Sequence, residues 1–467
     1  MAGHFLRNWW RITAPYLIFS SALLALFPSG PAALPAGFIK TVVASGLDVS
    51  FLTAVNDGRL FVNEKHGTVR VIKDDVLLPA PLLDISSQVE SAVERGLLGI
   101  AVDPNFIVNG YLYLFHNDKD NHAYISRFTV KGDVADPASV KKIFDLGVHG
   151  APYHHGGDLQ FGPDGKLYFT QGNGAGYLGD AGTVSQNKND LLGSIMRINP
   201  DGTIPADNPF YATNGGDARA VWTYGNRNTF NVRFQPGTGL VYFSDVMDNN
   251  VDDEINEGKA GGNYGYGGGS GTIEPLVTYG AGGAAQIGGA WYAATQFPTE
   301  YRGLFFFGNS GNGNLKTIDP KTHKVTTFDA LTNDCPISLD VGAQGALYAS
   351  TRCGDGPSVI NGKVYKFTYP AGVTGLAQGG FPPPTERVME SPAFQGHGNG
   401  QSQGVSVKLL QDGLQSLELV TVDGRLLERH TAHGAAQVDF SSIPGKGLFF
   451  LVWRNGSRKV ITKLFLD

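Results

Sequence analysis

With 467 residues, the chain is too long for one ordinary hydrophobic core and implies a large repeat-built domain with something smaller attached. Glycine contributes 64 residues, about twice the average usage of ~7%, and charged residues make up 17% against a typical ~25%; this excludes a mainly helical protein and points to a β-protein rich in tight turns. The formal net charge of −6 argues against nucleic acid or an anionic membrane as the main partner.

At the N-terminus, Arg7 and Arg11 precede an apolar run from Tyr16 to Phe27 and then a Pro/Gly/Ala stretch. This pattern predicts a secretory signal peptide over 1–36, cleaved near Ala32 to Ala36. The run is shorter than the roughly 20 residues a spanning helix needs, so an uncleaved anchor is the alternative. No later stretch is long enough to span a bilayer. The mature protein is therefore expected to be secreted, periplasmic or at the cell surface.

From 37 to 370 one strand cue recurs: a turn glycine or Asp-Gly, followed by an apolar-aromatic pair. It occurs as DGRLFV at Asp57, NGYLYL at Asn109, DGKLYF at Asp164, TGLVYF at Thr238, RGLFFF at Arg302 and QGALYA at Gln344. Six cues at intervals of roughly 40 to 75 residues predict an all-β, six-bladed β-propeller. Segment 38–47 and GKVYKFTY at 362–369 are the strands expected to close the ring. Long Gly/Asn/Asp-rich loops fall between Gln171 and Val221 and between Asp245 and Trp291, where ligand-binding segments are expected. Cys335 and Cys353 are the two cysteines; they either pair after export or remain buried thiols, and no CxxCH haem motif is present. Residues 371–403 read as a Pro/Gly-rich linker. Residues 404–467 read as five or six short strands forming a small C-terminal β-sandwich.

Chemistry concentrates in Tyr153 to Gly174, YHHGGDLQFGPDGKLYFTQGNG. Histidine titrates nearest neutral pH, which makes His154 and His155 candidate proton acceptors. The Gly-Gly that follows leaves room for a flat ligand to approach the backbone. The plainer alternative is a loop tip with one solvated histidine and one hydrogen-bonded histidine.

Four segments in order, this one with ERGLLGIAVDPNFIVNGYLYL from Glu94, YGNRNTFNVRFQPGTGLVYFSD from Tyr224 and DDEINEGKAGGNYGY from Asp252, resemble the soluble quinoprotein glucose dehydrogenase and aldose sugar dehydrogenase family, the glucose/sorbosone dehydrogenases. The resemblance spans most of 38–370. It implies a propeller that binds pyrroloquinoline quinone (PQQ) and Ca²⁺, acts on a sugar and passes electrons to an external acceptor. It places His154 as the catalytic base. Asn173 stands where relatives carry a supporting aspartate, which predicts a weaker base. Arg227 and Asn228 match the pair that contacts the quinone, and Glu94 lies in the loop that contributes a polar cofactor contact. The acidic run holding Asp245, Asp248, Asp252, Asp253 and Glu254 is the candidate calcium region, because it is dense in hard oxygen donors. It fails the EF-hand pattern at Asp253 and Lys259, and Met247 replaces a family glycine. The late cation cluster of relatives is reduced to Lys316, with Arg233, Arg302 and Arg352 as possible substitutes. The C-terminal segment resembles a type IX secretion sorting domain, which implies recognition by outer-membrane secretion machinery; the alternative is a carbohydrate-binding or spacer sandwich.

Two functions follow from these residues. One is an exported PQQ-dependent sugar dehydrogenase forming a lactone. The other is a non-catalytic propeller that binds a glycan or protein partner, as the related hedgehog-interacting proteins do; Asn173, Met247 and the reduced cation cluster motivate it.

Overall fold

The computed structural model describes residues 34–148, 152–174, 181–248, 251–279, 286–331, 334–354 and 360–370, and the strands of a C-terminal unit between 394 and 466. The expected signal peptide lies almost wholly outside the described residues. The chain divides into two compact units, 1–376 and 377–467.

The first unit is a six-bladed propeller built from four-stranded antiparallel blades. Blade 1 holds Val49–Ala54, Leu60–Glu64, Thr68–Lys73 and Val76–Leu77, from inside to outside, and Leu83–Asp84 pairs with its third strand as well. Blade 2 holds Leu97–Val102, Tyr111–Asn117, His122–Lys131 and Val134–Val148. Blade 3 holds Leu159–Phe161, Leu167–Gln171, Ser194–Ile198 and Val221–Tyr224. Blade 4 holds Thr229–Phe234, Val241–Asp245, Asp253–Glu257 and Val277–Tyr279. Blade 5 holds Gln286–Trp291, Phe305–Asn309, Asn314–Ile318 and Val325–Ala330. Blade 6 holds Pro336–Val341, Leu347–Thr351 and Gly362–Thr368, and takes its outer strand, Ile39–Leu47, from the start of the unit. The inner strands touch in sequence, and that of blade 6 touches that of blade 1, so the ring is closed.

Each of the six sequence cues opens the second strand of one blade. A second strand has a neighbouring blade on both of its faces, so its residues are buried without alternation: Leu60–Glu64, Leu167–Gln171, Val241–Asp245 and Phe305–Asn309 are buried at every position. That two-sided burial is the reason for the continuous apolar-aromatic runs. The core accordingly lies between blades. Trp222 and Tyr168 of blade 3 pack with Val232 and Phe243 of blade 4, and Tyr242 of blade 4 packs with Trp291 and Phe305 of blade 5.

At the seam, Ala44 and Leu47 of the closing strand share a core with Val49, Leu52, Leu60 and Val62 of blade 1 and Val364 of blade 6. Arg352 of blade 6 pairs with buried Asp48, the residue between the closing strand and the first inner strand, at 2.8 Å. Cys335 and Cys353 form a disulfide, which resolves the open choice between thiols and a bridge and ties the start of blade 6's inner strand to the end of its second strand.

Among its described residues the second unit has seven strands in two antiparallel sheets. Phe394–Asn399, Ser402–Leu409 and Ala436–Phe440 make one; Leu414–Thr421, Leu426–His433, Gly447–Asn455 and Arg458–Leu466 make the other. Its first strand falls inside the stretch expected to be linker.

Leu47→Ala at the seam, where the side chain is 1% exposed, is expected to cost about 2–5 kcal/mol, while Val42→Ala on the same strand, 51% exposed, changes stability by no more than ~0.5 kcal/mol. Urea unfolding of both variants measures the difference; equal effects would mean that the closing strand does not carry the seam core.

Candidate active site

Glu94, His154 and the Arg227–Asn228 pair each lie just before the inner strand of blades 2, 3 and 4, respectively. Asn173 lies just past the second strand of blade 3, and Asp245 ends that of blade 4. Antiparallel pairing puts the start of an inner strand and the end of a second strand at the same end of the ring, and there these residues meet.

His154 is 7% exposed and His155 is 1% exposed, so neither is the solvated loop-tip histidine of the plainer expectation. The His154 backbone is left-handed, with φ 59°, a conformation that is costly for a residue with a side chain. Its N–H donates to Glu94 Oε2 at 2.5 Å, which holds the loop in that conformation. The ring nitrogen Nδ1 lies 2.7 Å from Asn173 Oδ1. An amide oxygen only accepts, so Nδ1 carries the proton and Nε2 is left with the lone pair a base needs. Burial, then the nearby Arg227 guanidinium, holds the imidazole below its ordinary pKa; the Asn173 bond and Asp248 pull the other way. His154 is therefore neutral at pH 7.

The glycines serve a different purpose from the one their sequence suggested. Gly156 and Gly157 have φ 56° and 94°, and side chains there would meet Thr229 O at 2.8 Å and Leu98 Cδ1 at 2.7 Å. A Cβ on Gly172 would come within 2.1 Å of His154 O. The space they leave is filled by protein backbone and by Leu98, not reserved for a flat ligand.

Asn228 joins the blades. Its Oδ1 accepts the Gly156 N–H at 3.1 Å, and its Nδ2 donates to Glu94 Oε2 at 3.4 Å. Glu94 thus clamps blades 3 and 4 from blade 2, a role beyond the cofactor contact expected of it. Arg227 O accepts the Asn173 N–H at 2.8 Å. The Arg227 guanidinium donates to Val246 O at 2.9 Å and lies 3.0 Å from the half-exposed carboxylate of Asp248, which also accepts from Tyr266 OH at 3.3 Å. Tyr266 closes the DDEINEGKAGGNYGY segment, where the sequence pattern gives it no role. No local signal marks it, because its contact with Asp248 crosses 18 positions of loop.

The five carboxylates expected to hold calcium are drawn to different partners. Asp245 accepts the N–H groups of Arg227 and Asn228, at 2.8 and 2.6 Å. Burial, reinforced by Glu254 across the strand pair, pushes Asp245 up to about 7 against the pull of those two amides. Asp248 faces Arg227, Asp253 accepts the Met247 N–H at 2.9 Å, and Glu254 accepts from Asn256 Nδ2 at 3.1 Å. Asp252 is half-buried. Among the described residues no group of three or more His, Cys, Asp or Glu side chains is placed to hold a metal ion. The described side chains of this run therefore do not form a calcium cage.

The candidate substitute cations are likewise engaged. Lys316 is buried with its Nζ 3.9 Å from the centre of the Tyr279 ring. Arg233 pairs with buried Asp158, and Arg352 pairs with Asp48. Arg302 donates to the carbonyls of Phe297 and Thr295. At the cluster itself, the imidazole of His154 and the guanidinium of Arg227 have the chemistry that suits the carbonyl end of a quinone, while the Asn228 carboxamide is taken up by Gly156 and Glu94. The described residues place no comparable set of cations for its carboxylates.

Residues 48–360 match the family described as Glucose / Sorbosone dehydrogenase. The chain belongs to that family. Within it, Quinoprotein glucose dehydrogenase B of Acinetobacter calcoaceticus is 30% identical over 242 residues, covering 46% of this chain and 47% of that protein. Hedgehog-interacting protein of Mus musculus is 33% identical over 191 residues, covering 35% of this chain and 27% of that protein. The chain spans 34% to 54% of the length of the first curated relatives it matches. The PQQ-bound form of aldose sugar dehydrogenase from Streptomyces coelicolor shares the fold, with TM-score 0.59 and 22% identity over 72% of this chain and 99% of that one.

Asn173→Asp sets a charge beside Nδ1 in place of a neutral oxygen. Imidazolium is stabilised by that charge, so the titration midpoint of the His154 ring is expected to rise by roughly 1 to 3 pH units, read by NMR. The acid limb of activity would move up with it, whereas an unchanged midpoint would show that Asn173 does not govern the ring.

Proposed function

We propose that the protein is an exported PQQ-dependent sugar dehydrogenase that oxidises an aldose to its lactone. The observation that carries this reading is His154, buried and neutral, with Asn173 fixing the proton on Nδ1 and Arg227 close enough to depress its pKa. Family membership supports an oxidoreductase acting on sugars. PQQ, when bound, supplies the two-electron acceptor. The anomeric hydroxyl of the sugar gives its proton to His154 Nε2 as hydride leaves C1, and the C1–O bond becomes the lactone carbonyl. Arg227 offers positive charge where negative charge develops on the acceptor, and Asn228 holds the neighbouring backbone in place.

Export is supported by the N-terminal sequence and by the Cys335–Cys353 bridge, which suits an oxidising compartment. Among the described residues no helix is long and apolar enough to cross a membrane. The C-terminal module is assigned to recognition by outer-membrane secretion machinery, on its sequence pattern.

The alternative, a non-catalytic propeller binding a glycan or protein, draws on the engagement of Arg227 by Asp248 and on the scattered cations. Calorimetric titration of PQQ into the purified chain separates the two. The proposal expects saturable binding, and turnover with at least one aldose from a broad panel that falls by roughly 10² to 10⁴-fold in His154→Ala. No binding at tens of micromolar PQQ assigns the protein to the binder class.

A further inference from the structure

Asp245 lies where the sequence suggested a metal, yet its surroundings describe a different task. It ends the second strand of blade 4 and is 1% exposed. Each of its oxygens accepts one of two consecutive backbone N–H groups, from Arg227 and Asn228, at 2.8 and 2.6 Å. A buried carboxyl group whose two oxygens are each satisfied by an amide is a rigid anchor, because releasing either bond leaves an unsatisfied polar oxygen in a dry environment.

The same position recurs around the ring. The last residues of the other second strands are Glu64, Asn117, Gln171, Asn309 and Thr351, all polar and buried. Glu64 accepts the Asp48 N–H, Asn117 the Gly96 N–H, Asn309 the Asn312 N–H and Thr351 the Lys363 N–H. Capping of backbone amides is what this position does in every blade but the third, where Gln171 Nε2 donates to Gly172 O instead. In blade 4 the cap is doubled, and it holds the two residues that stand beside His154. From Asn228 the bonds continue through its side chain to the Gly156 N–H and to Glu94, and from Glu94 to the His154 N–H.

We propose that Asp245 is a positioning residue: its carboxylate seats the backbone of Arg227 and Asn228 and, through Asn228 and Glu94, that of His154. The catalytic part of this inference rests on the reading of His154 and Arg227 as the working pair. The geometric part does not.

Amide hydrogen exchange and His154 ring resonances in Asp245→Asn, without any ligand, test the geometric part. Expected are at least about tenfold faster exchange at residues 154–156 as well as at 227–228, and displaced ring resonances, with the thermal midpoint of the whole chain nearly unchanged. Faster exchange confined to 227–228 with an undisturbed ring overturns the proposal. Should Asp245→Asn fail to fold, Asn228→Ala cuts the next link while leaving Asp245: it is expected to loosen 154–156, and normal exchange there overturns the proposal equally. In turnover, Asp245→Asn is expected to lower kcat more than it raises KM, and a rise in KM alone contradicts positioning. A wild-type protein without turnover would sink the dehydrogenase reading, while the exchange experiment still decides the role of Asp245.

Discussion

Closure of the ring is the constraint on which everything else rests. Each blade exposes two faces that only neighbouring blades cover, so no blade is stable until it has both neighbours. The circle is completed by Ile39–Leu47, which pairs with Gly362–Thr368 and brings Ala44 and Leu47 into a core shared with blade 1. Ion pairs follow the same joint: Arg352 with Asp48 in the interior, Lys366 with Asp75 on the surface. The site lies at blades 2, 3 and 4, away from this joint, yet its three loops hold their spacing only because the inner strands beneath them form a complete circle.

Within the site, carboxylates act mainly on backbone. Glu94 and Asp245 spend oxygens on N–H groups, and by doing so they fix a left-handed histidine and an arginine–asparagine pair that propensity alone would leave loose. Charge then enters the chemistry through fewer groups than the acidic sequence suggests. Arg227 and Asp248 oppose each other over His154, and the balance, together with burial, leaves the imidazole unprotonated. A base held down by burial and then by an arginine, with its tautomer set by an amide, is tuned differently from one resting on an aspartate.

The blades were legible in the sequence because two-sided burial writes the same apolar-aromatic signature into each second strand. Closure was legible as well, since 38–47 and 362–369 stood unpaired at the ends of an otherwise repeating pattern. His154, Asn173, Arg227 and Asn228 could be picked out as a group only through resemblance; nothing local says that residues more than 70 positions apart share a hydrogen bond, as Asn228 and Gly156 do. The misreadings have physical causes. Glycines at 156 and 157 look like room for a ligand, but the Thr229 carbonyl and the Leu98 side chain take up that room. The acidic run looks like a cation site, because composition does not reveal which oxygens are already committed to amides. The cations named as substitutes are taken up by Asp158, Asp48, loop carbonyls and an aromatic ring, partners that lie far off in sequence.

The closing strand also sets an order in time. Of the propeller strands, Ile39–Leu47 leaves the ribosome first, and its hydrogen-bonding partner follows more than 300 residues later. At ordinary rates of synthesis the wait is on the order of tens of seconds, during which the strand has no sheet to join and its partner blade does not yet exist. The propeller therefore closes only once its sixth blade has emerged, with the second unit, 377–467, still to follow. A nascent chain stopped anywhere before the last blade would carry an open strand edge, the natural hold for a chaperone or a translocating pore.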